Sequence, residues 1–427
     1  MSDAADAALR VPFAIALRFW LKLGFISFGG PAGQIAIMHE ELVVRRRWIG
    51  EPHFLHALNF CMMLPGPEAQ QLATYLGWRM HGVRGGLAAG GLFVLPSLVM
   101  MIGLAWLYLA HGATPLIAGG LAGIKAAVVA IVLMAAWRIG RRSLRNAGLV
   151  GLAIFGCAAR VAGLPFPLII ALAALAGFWL PGLRRGLALE DDRLDHRPSP
   201  VRAPWRRASV ILIGALALWA GGFAALVLQF GWSHAYAQMA WFFTKAALLT
   251  FGGAYAVLPY VFDGAVTQYG WLSPVQMIDG LALGETTPGP LIMIVAFVGF
   301  LGGWQQQLMG ADHLLLAGVC GAVVATGYTF LPSFLFILGG APVVEATRGI
   351  TALAAPLAAI SAAVVGVIVH LGLFLAGHVL WPGHPDWPAL AIALGALAAL
   401  GAWRRSLVEV VIVAGIAGCA LRWFAGV

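Results

Sequence analysis

The 427-residue chain is 61% hydrophobic and only 10% charged, with a mean hydropathy of +0.90. Soluble domains carry about 25% charged residues, so this composition excludes a water-soluble globular protein and predicts an all-α integral membrane protein. The net charge of +9 does not signal nucleic acid, because 21 of the 26 Lys and Arg residues precede residue 230 and the arginines crowd into short loops. The three lysines, Lys22, Lys125 and Lys245, stand instead inside apolar stretches. The four cysteines (Cys61, Cys157, Cys320 and Cys419) are scattered through apolar segments, which fits neither a disulfide framework nor a metal site. The acidic start, MSDAADAALR, lacks the basic region of a cleaved leader.

In chain order, apolar segments fall at 13–28 and 31–43, 52–64 and 67–80, 85–110, 115–138, 146–160 and 165–180. A charged linker at 181–207 follows. Further segments run at 208–230, 236–251 and 254–262, 274–287 and 290–303, 313–338, 343–375, 387–402 and 406–424. Several approach the roughly 20 residues that a bilayer crossing needs.

The two halves repeat. FWLKLGFISFGG at 19–30 matches FFTKAALLTFGG at 242–253, which pairs Lys22 with Lys245 and Ser27 with Thr250 at a spacing of 223 residues. The same spacing carries Trp48 to Trp271 and Pro65-Gly66-Pro67 to Pro288-Gly289-Pro290. FVLPS at 93–97 matches TFLPS at 329–333 at a spacing of 236. Several motifs in one order make an internal duplication. The expected organisation is a first repeat at 1–180, a basic linker with one extra helix at 181–235, and a second repeat at 236–427.

Arginine placement predicts orientation, because cytoplasmic loops collect Lys and Arg. Arg138, Arg141, Arg142 and Arg145 mark one such loop, and Arg184, Arg185, Arg202, Arg206 and Arg207 mark another. The corresponding second-half loops at 263–273, 304–312 and 376–386 hold no Lys or Arg, whereas Arg404-Arg405 fills a loop whose counterpart at 160–165 is nearly neutral. The bias flips, which predicts inverted repeats with the N-terminus cytoplasmic and the C-terminus periplasmic. Two threadings remain. Ordinary single spans put Arg45-Arg46-Arg47 outside; re-entrant hairpins turning at Gly29-Gly30-Pro31 and Pro65-Gly66-Pro67 keep it inside, and the rule favours them.

Broken backbone at membrane depth survives only in protein or beside a wet cavity, and matched breaks in inverted repeats point to a midplane transport site. The breaks at Gly29-Gly30, Pro65-Gly66-Pro67, Gly252-Gly253 and Pro288-Gly289-Pro290 therefore nominate Gly29, Gly30, Gly66, Pro67, Gly252, Gly253, Gly289 and Pro290 as substrate-binding backbone. Free amides and a positive helix end there favour an anion. Tight packing by small residues is the plain alternative for any one motif.

An ionisable side chain at mid-membrane costs roughly 2.5–3.5 kcal/mol on insertion scales and usually has a partner or a task. Lys22 and Lys245 are expected to flank one cavity, unless they snorkel to the interface. Ser27 and Thr250 join the substrate-binding candidates, and Asn59, Gln70, Gln71, Thr74, Thr286 and Thr287 can add neutral hydrogen bonds around the breaks, Asn59 and Thr287 as substrate contacts. Glu285, Glu68 and Asp279 are candidate proton carriers or, equally, structural partners of a lysine. Lys125 lacks a twin and fits either a helix-to-helix bond or substrate contact. No catalytic, cofactor or metal motif is present in the sequence.

SFGGPAGQI with LPGPEAQQLATYLGW, repeated as TFGGAYAVLP with TTPGPLIMIVAFVGF, resembles the paired signature of the chromate ion transporter family in its long form, over about residues 13 to 424. The resemblance implies a bacterial inner-membrane permease that exports chromate, with sulfate as a related oxyanion, using the proton-motive force. Its partners would be the oxyanion, protons and the lipid bilayer, with no nucleic acid, and a homodimer stays open. The second repeat has Ala254 where the first has Pro31, so the two halves need not be equivalent. Two other classes stand beside this reading. One is a cation/proton antiporter using Glu68, Asp279 and Glu285, against which the lysines argue. The other is a membrane-embedded enzyme, for which no catalytic pair is present.

Overall fold

A computed structural model describes residues 11–28, 30–112, 114–179, 205–251, 253–344 and 354–425. The described residues are helical, without strands. The first half contributes α1 (Phe13–Ile26), α2 (Gly30–His39), α3 (Glu51–Met63), α4 (Glu68–His111), α5 (Pro115–Ser143), α6 (Ala147–Val161) and α7 (Phe166–Trp179). Then come α8 (Trp205–Phe230), α9 (Ala235–Leu248), α10 (Ala254–Phe262), α11 (Pro274–Thr286), α12 (Ile294–Gln305), α13 (Leu314–Val344), α14 (Ala354–Leu380), α15 (Trp387–Gly401) and α16 (Leu407–Ala425). Among the described residues, six helices are long and apolar enough to cross a membrane: Glu68–His111, Pro115–Ser143, Ser209–Phe230, Ala311–Gly340, Ala355–Leu380 and Leu407–Phe424. Many exposed side chains are large and apolar, Leu228, Trp179 and Trp423 among them. Such a surface is costly in water and ordinary in lipid, so the protein is integral to a membrane.

The duplication is visible in local structure. The irregular π turn Glu40–Arg45 recurs as Asp263–Gln268, and α3 recurs as α11 at the same 223-residue spacing. Even the bonds that close the turns repeat, since Trp48 N donates to Leu42 O and Trp271 N to Ala265 O, each at 2.8 Å. The caps repeat as well. Asn146 accepts from the Leu149 amide and Asp386 from the Ala389 amide, both at 2.9 Å, so each opens its helix by satisfying one orphan donor.

The helices gather into two compact units, each drawn from both repeats. One comprises the described residues of Met1–Ala105, Ser199–Ala254 and Thr287–Arg348. Its core is built around Phe19, Trp20, Leu23, Phe54, Tyr75 and Phe93. Here α4 reverses at His81 and Gly82, where φ is −137° and +63°. A Cβ on Gly77 would lie 2.5 Å from Gly85 O, so glycine lets the two arms close backbone to backbone. α12 and α13 pack in the same manner, with a Cβ on Gly299 2.3 Å from Gly321 O. α8 lies against α9 and α13.

The second unit comprises the described residues of Trp106–Pro198, Tyr255–Thr286 and Gly349–Val427. Within it α5 packs on α15 and α16 of the second repeat, while α14, the counterpart of α5, packs on α6 and α7 of the first. The exchange is reciprocal, the signature of a twofold relation in which i meets j and j meets i. Small residues make these approaches possible: a Cβ on Gly366 would lie 1.8 Å from Ala153 O, and one on Gly123 2.0 Å from Ala414 O.

Candidate functional site

The sequence places helix breaks after α1 and α9 and after α3 and α11, and in the first unit residues at those breaks bond across the repeats. Ser27 and Thr250 follow the ends of α1 and α9, and both are fully buried. The Gly66 amide donates to Thr250 O at 2.8 Å, and the Gly289 amide donates to Ser27 O at 2.7 Å. Each Pro-Gly-Pro therefore clasps the Ser/Thr break of the other repeat. A second pair obeys the same exchange. A Cβ on Gly66 would meet Ser333 Oγ at 2.5 Å, and one on Gly289 would meet Ser97 Cβ at 2.7 Å. Ser97 and Ser333 are the ends of the two matching Leu-Pro-Ser motifs. Gly66 and Gly289 have φ of +128° and +99°, values that side-chain-bearing residues rarely adopt.

This geometry corrects one expectation. The Gly66 and Gly289 amides are not free anion donors, because each is bonded to a carbonyl of the opposite repeat. Backbone buried in a membrane must find a partner, and the duplication supplies one. Pro67 stands just before the first residue of α4, its carbonyl accepting from Gln71 N at 3.0 Å. Pro290 instead precedes a short 3-10 turn, Leu291–Met293.

The clasp is lined by neutral groups. Gln34, Gln71, Ser97 and Ser333 are all buried and lie against Gly66 or Gly289. Gln34 Nε2 donates to Gly289 O, and Gln71 Nε2 donates to Pro65 O at 2.7 Å. Gln71 is one of the neutral groups expected beside the breaks; Gln34, Ser97 and Ser333 carry no such expectation, and the repeated Leu-Pro-Ser motif is the one signal in the sequence that marks the serines.

Other nominated residues fall elsewhere. Lys22 is exposed on α1, whose buried face is Ala16, Phe19, Trp20, Leu23 and Gly24. Lys245 is partly buried in the last turn of α9, with Nζ 5.8 Å from the Trp241 ring centre. The twin lysines are thus unequal in burial, because helix packing and not sequence spacing sets which side of a turn faces the core. Asn59 is exposed on α3, and Glu68 is partly buried in the first turn of α4. Thr287 is buried, with Oγ1 3.6 Å from Met101 Sδ. Gly30 has φ +71° and Gly253 φ +99°, and a Cβ on Gly30 would meet nothing within 4 Å. Gly29 and Gly252 lie outside the described residues.

The buried acids belong to the second unit. Asp279, 4% exposed, holds Lys125 Nζ at 3.0 Å and accepts from Tyr108 Oη at 2.9 Å. Lys125 therefore has a structural partner. Glu285, 6% exposed, accepts from Tyr255 Oη at 3.0 Å and has no cation within ion-pair distance among the described residues. Arg160 forks onto Asp263 at 2.9 and 3.0 Å. No group of His, Cys, Asp and Glu suited to a metal occurs among the described residues.

A paired set of helix breaks, crossing repeat to repeat and sheathed in neutral donors, is the arrangement compared with known proteins. The profile of the chromate transporter family matches residues 15–178 and again 237–419, once for each repeat. This chain belongs to the chromate transporter family. A chromate transport protein of Pseudomonas aeruginosa is 35% identical over 98% of this chain and 95% of its own length. One from Cupriavidus metallidurans is 30% identical over 93% of this chain and 90% of its own. A probable chromate transport protein of Synechococcus elongatus is 29% identical, covering 97% of this chain and 98% of the relative. No solved structure matches.

Proposed function

We propose that this protein is a secondary active transporter that exports a tetrahedral oxyanion, chromate first and sulfate-like analogues beside it, driven by the proton-motive force. The observation that carries the reading is the reciprocal clasp of broken helices in a duplicated member of this family. Discontinuous helices in paired repeats are where transporters hold their cargo. A dianion in such a place can be held by neutral N–H and O–H donors, since hydrogen bonds to an ionised group are worth about 1.5–3 kcal/mol each. The positive charge of Lys22 and Lys245 adds a long-range attraction that neutral donors lack.

The inversion of the repeats and the cytoplasmic N-terminus rest on the flipped arginine bias, and the bacterial inner membrane on the family resemblance. Of the three candidate carboxylates, Glu285 suits the proton best. Asp279 already has Lys125 as counter-ion. Among the described residues Glu285 has only a tyrosine hydroxyl, and a buried carboxylate without a counter-ion is relieved of its charge cost by taking up a proton.

Uptake of radioactive chromate and sulfate into inverted vesicles, with and without a pH gradient, tests the reading. Chromate accumulation that grows with the gradient is expected. Uptake equal to that of vesicles lacking the protein overturns it.

A further inference from the structure

The twofold exchange gives the first unit two equivalent places, one at Gly66 and one at Gly289, and their surroundings differ. At the Gly66 clasp both matching hydroxyls have a partner, although Gln71 Oε1 has none among the described residues. Thr250 Oγ1 donates back to Ala246 O at 2.7 Å, and Gln71 Nε2 spans Pro65 O at 2.7 Å and Ser333 Oγ at 3.5 Å. At the Gly289 clasp the residue in the place of Gln71 is Ile294, which has no amide to offer. Ser27 Oγ and Ser97 Oγ, both on side chains with 0% exposure, have no hydrogen-bond partner among the described residues. Both sit on Gly289: Ser27 through its carbonyl, and Ser97 with Oγ 3.1 Å from where a Cβ on Gly289 would be.

Two orphaned hydroxyls beside one glycine need an explanation, because a buried unsatisfied polar group costs about 1–3 kcal/mol. Such groups persist where a ligand completes them. Each hydroxyl can donate as well as accept, so a ligand with acceptor atoms would satisfy both. An oxyanion is one.

We infer that substrate binds on one side only, at the Gly289 clasp, with the Ser27 and Ser97 hydroxyls donating to the oxyanion, while the Gly66 clasp is a closed structural copy plugged by Gln71. The inference rests on the transport reading and sharpens it from two symmetric half-sites to one. Gln34, which donates to Gly289 O, holds that clasp open in register without using either serine. Its counterpart by spacing, Val257, cannot do the same for Gly66. The asymmetry thus runs through both glutamines: one braces the binding side, and the other fills the silent side.

The test compares Ser27→Ala, Ser97→Ala and Ser333→Ala in the full-length protein, purified in detergent. Chromate and sulfate binding are read by thermal shift and equilibrium dialysis, with the folded fraction checked by size exclusion. Loss of one donor to a charged acceptor predicts binding weaker by on the order of tenfold or more for Ser27→Ala and for Ser97→Ala. Ser333→Ala is expected to bind within about twofold of the unaltered protein, since its one hydrogen bond among the described residues is a long one from Gln71. Equal losses in all three, or no loss at Ser27 and Ser97, overturn the one-sided site and leave the transport reading standing. An unaltered protein that binds neither anion overturns both. Should Ser97→Ala fail to fold, Ser27→Ala with Ile294→Gln still decides. Placing an amide where Ile294 stands should plug the second clasp and abolish binding, and retained binding in that variant refutes the inference.

Discussion

Gly289→Ala tests the clasp at its tightest point. The substituted residue would have to hold φ +99°, a conformation that costs a side-chain-bearing residue about 1–3 kcal/mol. Its new methyl would lie 2.7 Å from Ser97 Cβ and 3.1 Å from Ser97 Oγ, and the Cβ is fixed by the backbone of a long helix. Overpacking of this kind adds about 1–3 kcal/mol. The combined loss is about 2–6 kcal/mol. Gly66→Ala carries a similar backbone cost at φ +128°, but the atoms met there, Gln71 Nε2 and Ser333 Oγ, are side-chain ends that can turn aside. Apparent unfolding midpoints of the purified variants should therefore fall in the order Gly289→Ala below Gly66→Ala below the unaltered protein. A Gly289→Ala protein as stable as the unaltered one, or less perturbed than Gly66→Ala, would refute the packing described at Ser97.

Four further outcomes follow from named contacts. Lys125→Met alone strips Asp279 of its counter-ion and should destabilise the protein by about 3–5 kcal/mol, whereas Lys125→Met with Asp279→Asn should recover most of that loss in thermal unfolding. Glu285→Gln should preserve chromate binding but remove the dependence of uptake on the pH gradient, read in inverted vesicles; unchanged coupling would move the proton to Glu68. Gly366→Ala should destabilise strongly, because its Cβ would lie 1.8 Å from Ala153 O, while Gly377→Ala on the same helix meets nothing within 4 Å and should be neutral or stabilising by about 0.5–1 kcal/mol. Cysteines at 45 and 268, probed with an impermeant thiol reagent on intact cells, should be protected and labelled respectively; the reverse pattern would contradict the re-entrant hairpins, and the same result at both positions would contradict the inversion.

The helix breaks were legible in the sequence because proline and glycine interrupt a helix by local chemistry, whatever surrounds them. The duplication was legible because spacing survives folding, as the recurrence of the π turn and of α3 as α11 shows. The partner of each break was not. Whether the Gly289 amide points at a ligand or at Ser27 O depends on contact across more than 250 residues, and no local pattern encodes that. The same limit applied to the charges. Lys22 and Lys245 are twins in sequence, yet one is exposed and the other half covered by Trp241, because neighbouring helices differ between the repeats. Tyr108 and Tyr255 escaped notice for a related reason: a tyrosine hydroxyl has no motif, only a position. The differences between halves carried more than the matches did. Val257 in place of Gln34 and Ile294 in place of Gln71 are visible in the sequence, and they acquire meaning only once the clasps are seen side by side.

The most direct test of the central claim uses the purified protein alone in liposomes, loaded with chromate and diluted into chromate-free buffer. The account predicts chromate efflux that external sulfate inhibits and that falls on substitution of Ser27 or Gly289. Proton or sodium flux that proceeds equally well without any oxyanion, and no chromate efflux, would contradict it.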